Sequence, residues 1–340
     1  MSANNARRKT SAKRKILIAL CVVLSIILVA AIAFCLLVAP ILFSIGEIDN
    51  STTGDAVYTD WLDPTDTKPI IDAADAIPTG KNVINVLLVG QDRRSGEGRM
   101  HSDAMILCTI NKTTNTLTMT SFMRDVWVYI PEHYNERMNV PYMVGGFPLL
   151  NDTLSYNFGV QADYNVEIDF AGFMAAVDLV GGLDIELSKA EADYLNRRGN
   201  WDLEANEGWQ LVEGVNHLNG SQALAYSRIR AIDNDFERTG RQRIVLTALV
   251  DKAKTLNAAE LYELVRQVVP MISTDMSKPQ IMGLAMECIP MLSDLKIVSQ
   301  RVPMDGTYYL TTRNGASVIA ISDDGLVANK QLLIDTMKEK

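Results

Sequence analysis

"DFAGFMAAVDLVGGLDIEL" (169–187) decides the fold class. Phe170, Phe173, Met174, Val177 and Val180 recur at helical spacing, and Gly181-Gly182 stops the run as a C-terminal cap does. "LDIEL" (183–187) then reads as a strand. A helix handing over to a strand is the pattern of a layered α/β domain, and it extends in both directions. Upstream, "VINVLLVG" (83–90) is a short apolar run ended by glycine, the mark of a buried strand. "GQDRRSGEGRMHSD" (90–103) is a loop, and "AMILCTINKTTNTLTMTSF" (104–122) reads as two strands around an Asn/Lys/Thr turn. Downstream, "LNGSQALAYS" (218–227) offers Asn219 or Ser221 as a helix start, and "RQRIVLTALVDKAKTL" (241–256) is strongly helical. "GASVIAIS" (315–322) predicts a strand and "LVANKQLLIDTMKEK" (326–340) a closing helix. The expected fold is a single layered α/β/α domain with a central mixed sheet.

The first fifteen residues hold six Lys/Arg and no acid, and residues 16–45 follow without one charge. Thirty apolar residues exceed the roughly 20 a helix needs to cross a bilayer, and the run is too long for a cleaved signal peptide. The expectation is a cytoplasmic basic tail (1–15), an uncleaved transmembrane helix (16–45) and everything beyond it outside the cell. Residues 46–81, rich in Asp, Thr and Pro, read as a stalk, leaving 82–340 as the extracellular domain. Removing the six terminal positives from the net charge of −9 leaves the remainder at −15, which argues against a nucleic-acid partner. Cys21 and Cys35 lie in the apolar run, and Cys108 and Cys288 stand far apart, so neither a zinc site nor a disulfide framework is supported.

Against that acidic background, "AYSRIRAIDNDFERTGRQR" (225–243) packs five arginines among three acids. Arg228 and Arg230 share a face only on extended backbone, whereas Asp235, Arg238 and Gln242 form one stripe on a helix. An extended pair leading into such a stripe lets both sets converge on one point. Guanidinium forks stay charged and bind phosphate oxygens in pairs. Two readings stand: a solvated, self-neutralising helix face, or a grip on a dense diffusible anion. Asp92 lies two residues past one strand and Asp103 just before the next, where paired carboxylates suit Mg²⁺ bridging phosphates. The competing reading makes Asp92 a turn cap and Asp103 a solvated acid. Arg93, Arg94 and Arg99 share that loop, Arg124 stands at a strand end, and Arg137 and Asn139 precede a Gly145-Gly146 turn. The apolar helix over 170–180 is either core or the wall of a hydrocarbon slot.

Together "VINVLLVGQD", "HSDAMIL", "SFMRDVWVYIP", "RMNVPYMVGG", "DFAGFMAAVDLVGGLDIEL", "GVNHLNGSQALAYSRIR" and "DFERTGRQRIVLTAL" resemble the LytR–CpsA–Psr family of bacterial envelope proteins over about residues 83–255. The resemblance implies a metal-dependent phosphotransferase that moves an anionic glycan, such as teichoic acid or capsule, from a polyprenyl-pyrophosphate carrier to a peptidoglycan muramic acid hydroxyl. It implies Asp92 and Asp103 as ligands of Mg²⁺ or Mn²⁺. It implies Arg124, Arg137, Arg228, Arg230, Arg238 and Gln242 as pyrophosphate contacts, with Arg124, Arg228, Arg230 and Asp235 in catalysis; Arg241 is adjacent to this set. The chain departs from the family with His101 where Arg is common, Met123 where Pro is common, and without the further arginine that some members carry near Trp127. A pyrophosphatase with water as acceptor, and a lipid-carrier-binding regulator without turnover, are the rivals. Asp235 and Asp103 both stand as general base.

Overall fold

The computed structural model describes residues 46–47, 68–91, 99–197 and 208–339. The basic tail, the apolar run and Asp92, Arg93 and Arg94 lie outside the described residues. Among those described, no helix is long and apolar enough to cross a membrane.

In chain order the strands and helices begin with β1 (Gly46–Glu47), β2 (Val83–Gln91), β3 (Ser102–Asn111), β4 (Thr116–Phe122), β5 (Trp127–Tyr129) and β6 (Asn135–Arg137). Next come α1 (Val140–Phe158), β7 (Tyr164–Ile168), α2 (Phe170–Leu179), β8 (Leu183–Leu187) and α3 (Lys189–Leu195). They are followed by β9 (Gly214–Leu218), α4 (Gly220–Arg228), α5 (Asp235–Ala253), α6 (Ala258–Val268) and β10 (Ile272–Thr274). The chain closes with α7 (Lys278–Cys288), β11 (Lys296–Val302), β12 (Tyr308–Arg313), β13 (Ala316–Ile321) and α8 (Asp323–Met337).

Seven strands form one sheet in the order β1-β10-β7-β2-β3-β4-β11. It is mixed, as expected: β2 runs antiparallel to β3 and parallel to β7, while β11 runs parallel to β4. Strict alternation along β2 gives the sheet two different faces. Leu87 and Val89, with Met105, Leu107 and Phe122, join the core under α1 and α8. Leu88, Gly90, Ala104 and Ile106 point the other way and line a cleft beneath α2, α4 and α5. That second helical layer has its own core, built from Val177, Leu183, Ile185, Leu218, Tyr226 and Val245 among others.

Helix starts follow local chemistry. Asn219 caps α4, accepting from Gln222 N at 2.9 Å while Gln222 Oε1 accepts from Asn219 N at 3.0 Å, which decides between the two expected starts. Gly220 must be glycine because a Cβ there would lie 2.3 Å from Met174 O, so α4 and α2 approach closely enough to wall the cleft. The expected Gly145-Gly146 turn is instead a kink inside α1, where Gly146 takes φ 64°. Of the stretch read as a stalk, residues 68–81 run along the domain. Ala74 N donates to Tyr156 O and Ile77 N to Gly159 O, and Ile77 is buried.

Candidate active site

The sheet itself aims the first site residue. Gly90 pairs with Ala104 but Gln91 pairs with Ser102, so Asp103 is the extra residue of a β-bulge. A bulge frees one side chain from strict alternation and re-aims it. Asp103 therefore lies within β3, not before it. Its Oδ1 accepts from Arg124 Nη1 at 3.1 Å and from Arg230 Nη2 at 3.0 Å, with Arg238 Nη1 at 3.6 Å.

Each arginine arrives from a different element. Arg124 stands two residues beyond β4, and its carbonyl accepts from Asn139 N at 3.1 Å. Asn139's own carbonyl accepts from Ser102 N at 3.4 Å, so one backbone clasp ties the Arg124 and Asp103 segments together. Arg228 closes α4, and Ile229 (φ −54°, ψ 128°) turns the chain so that Arg230 reaches the same point. The expected extended pair is thus corrected: Arg228 is helical, and a single extended residue separates the two. Arg238 and Gln242 lie on one stripe of α5 with Asp235, as the spacing predicted. Asp235 Oδ1 sits 2.7 Å from Arg238 Nη2 and 3.3 Å from Arg124 Nε.

Burial, opposed by the Arg124 charge, pushes the Asp235 carboxyl up to about 6. Gln242 Oε1 is buried with no hydrogen-bond partner among the described residues, the state of a group that expects a ligand or water.

The cleft these groups border encloses about 390 Å³. Its lining combines polar groups, Asp103, Arg228, Arg230, Arg238 and Gln242, with apolar ones, Leu88, Ile106, Ile168, Phe173 and Leu246. Phe170 touches both sets: it lines the cleft and its ring centre lies 4.5 Å from the Arg228 guanidinium carbon, an aromatic face under a cation. Composition placed Phe170 on an apolar helix but gave no sign of that contact.

Other expected residues stand apart. Arg137 does not line the cleft; its Nη1 is 3.9 Å from Asp125 Oδ1 and its Nε 3.4 Å from Glu136. Arg99 is buried with its guanidinium 5.8 Å from the Tyr142 ring centre. His101 is pulled below its ordinary value by burial and then by the Arg137 charge. Arg241 belongs elsewhere: Nε donates to Glu191 at 2.7 Å, Nη1 to Ile229 O at 3.1 Å, and Nη2 pairs with Asp233.

Residues 51–334 match the LytR_cpsA_psr family. The chain belongs to that family. Among curated relatives, polyisoprenyl-teichoic acid–peptidoglycan teichoic acid transferase TagT of Bacillus subtilis (strain 168) is 32% identical over 188 residues, covering 54% of this chain and 57% of TagT. The chain thus aligns with little more than half of that relative's length. TagU of Enterococcus faecalis (strain ATCC 700802 / V583), named for the same transfer, is 28% identical over 268 residues, 76% of this chain and 82% of TagU. Among solved structures, the family protein YwtF (TagT) with bound octaprenyl pyrophosphate lipid superposes with a TM-score of 0.59 at 25% identity, covering 78% of this chain and 96% of that one. The expected family and central mixed sheet are therefore correct for this LytR_cpsA_psr member.

Proposed function

We propose that the chain transfers an anionic glycopolymer from a polyprenyl-pyrophosphate carrier to a peptidoglycan muramic acid hydroxyl, on the outer side of a membrane in which residues 16–45 anchor it. One observation carries this reading: a single cleft is lined both by arginines and by a set of apolar side chains. A polyprenyl pyrophosphate has two matching halves, a dense anion joined to a hydrocarbon chain. The names of TagT and TagU and the octaprenyl pyrophosphate held by TagT support it.

In this reading Arg124, Arg228, Arg230 and Arg238 with Gln242 hold the pyrophosphate, and Arg137 contributes from the adjoining Asp125 cluster. The acceptor hydroxyl oxygen attacks the glycan-bearing phosphorus, a new P–O bond forms, and the bond to the bridging oxygen breaks. That oxygen leaves with the lipid as polyprenyl phosphate, its charge stabilised by the guanidinium groups. The hydroxyl proton passes to a carboxylate. Asp235, ion-paired to the cleft-lining Arg238 and raised to about 6, is matched to that task near neutral pH.

The residues also suit a divalent ion. Asp103 presents its carboxylate, through Oδ1, to three arginines at the polar lining of the cleft. Asp92 follows Gln91, which pairs with Ser102 beside Asp103. Two hard carboxylates are the donor set that Mg²⁺ or Mn²⁺ takes. When bound there, such an ion supplies further charge neutralisation on phosphate oxygens.

The test is an assay of the full-length chain on lipid-linked glycopolymer, with and without peptidoglycan oligomers. Glycan-phosphate-peptidoglycan formed only with acceptor supports transfer. Free glycan phosphate released at the same rate without acceptor makes the chain a pyrophosphatase, and tight carrier binding with no product makes it a regulator.

A further inference from the structure

Arg243 follows Gln242 on α5, so it points about 100° around the helix axis, away from the cleft and toward β11. Its Nε donates to Ser299 Oγ at 2.7 Å. Its Nη1 is buried without a hydrogen-bond partner, and no carboxylate pairs with it among the described residues. The neighbouring charge is another cation, Arg301, two residues along β11 from Ser299. Burial, and then that charge, draw the Arg243 guanidinium down to about 10.

Arg301 is fixed in place. Nη1 donates to Pro303 O at 2.7 Å, Nη2 pairs with Asp305, and the guanidinium lies 4.5 Å from the Phe236 ring. Phe236 in turn stacks on Tyr308 with ring centres 4.8 Å apart. Phe236, Gly240 and Arg243 form one stripe of α5, and a side chain at Gly240 would meet nothing within 4 Å. The seam between α5 and β11 is therefore open at Gly240 and carries an uncompensated positive charge one turn further on. Farther along, Lys254 is already neutralised by Asp251 at 2.7 Å. Among the described residues no carboxylate pairs with Arg243, and a half-buried guanidinium whose Nη1 is shielded without a partner is costly.

We propose that Arg243, with Ser299 and Arg301, forms a second anion subsite that takes a phosphodiester of the glycopolymer chain beyond the pyrophosphate. The subsite rests on the transfer reading above and adds a donor specificity to it: a polymer carrying phosphate in its repeats is held along the α5–β11 seam. A guanidinium fork whose Nε is pinned by a hydroxyl keeps its outer nitrogens oriented for phosphate oxygens.

The experiment compares two lipid-linked donors on the full-length chain. One carries a disaccharide with no phosphate beyond the pyrophosphate; the other extends the same head group by polyol-phosphate repeats. Arg243→Gln raises KM for the extended donor about tenfold and leaves the short donor within about twofold; Arg243→Lys, which keeps charge without the fork, falls between. Equal losses on both donors, or none on either, overturn the subsite. Removing a half-buried charge that no carboxylate pairs also predicts an unchanged or higher Tm for R243Q, so a folding defect has its own readout. Should the wild type transfer neither donor, the transfer reading fails and the subsite is judged by binding alone. An unlinked polyol-phosphate oligomer then binds the wild type about tenfold more tightly than R243Q, and equal binding overturns it.

Discussion

Arg238 and Arg241 stand three residues apart on one helix, both buried, and meet opposite charge balances. Around Arg238, Arg124 and Arg230 share Asp103 and Asp235 with it, Arg124 also reaches Asp125 at 3.6 Å, and Arg228 lines the same cleft, so four arginines stand over three acids. Around Arg241, two carboxylates and a carbonyl answer a single guanidinium. Burial pulls Arg241 down, but the hydrogen bonds to Asp233 and Glu191 outweigh it and hold the group above its ordinary value. Glu191 goes the opposite way: burial raises it, but the hydrogen bonds from Arg241 and Ser188 with the Arg241 charge together outweigh that and hold it below the usual carboxylate range. One cluster is closed and holds α3 against α5; the other is short of negative charge and opens on a cleft. The surplus, not the density of arginines, marks the site.

The sharpest way to break this comparison is to remove one arginine from each cluster. Arg230 is exposed and supports no core, so Arg230→Ala is expected to cost about 10²- to 10³-fold in transfer with little change in Tm. Arg241→Met leaves half-buried Glu191 and the more exposed Asp233 without their cation and is expected to destabilise the fold by about 2 kcal/mol in denaturant unfolding. Its activity per folded molecule stays near wild type. A stable but inactive Arg241 variant, or an active Arg230 variant, exchanges the two roles and sinks the distinction.

How far this was legible beforehand depends on the distance over which each feature is set. The stripe Asp235–Arg238–Gln242 is written within a few residues and stands where the spacing put it, and the α4 cap falls on Asn219, one of the two starts the sequence offered. Strand β2 was likewise plain from its apolar run. The bulge at Asp103 was not, because it depends on the register with β2. Nor was the fate of Arg241, whose partner Glu191 lies fifty residues upstream. Local spacing treated five arginines as one group. Tertiary contacts sent Arg241 to a structural clamp, Arg243 to the β11 edge and the other three to the cleft.

A second, smaller effect tests the cleft's acid. Asp235 binds its proton more tightly when folded, at about 6 against an ordinary 3.8. The unfolded chain has therefore already released that proton at pH 4–6 while the native chain retains it. Stability falls as pH rises through this window, by at most about 3 kcal/mol from this residue, and is flat above it. Asp235→Asn removes the slope, so the wild-type minus Asn difference in urea unfolding should decline from pH 4 to pH 6. Wild-type transfer rises through the same window, as a base freed of its proton requires. A difference that stays level between pH 4 and pH 6 removes the argument that burial tunes this carboxylate.

The smallest expected effect distinguishes the two kinds of side chain that line the cleft. Phe170 and Phe173 both line it, but only Phe170 is placed under a guanidinium, that of Arg228. Leucine preserves apolar contact while discarding the aromatic face, and a cation over such a face contributes about 1 kcal/mol. Phe170→Leu should then raise donor KM about fivefold, by the same factor whatever the length of the prenyl chain, because the lost contact belongs to the head group. Phe173→Leu should act the other way, with little penalty on a short prenyl donor and a growing one as the chain fills the slot. If both substitutions scale with chain length, Phe170 is wall and not part of the anion site.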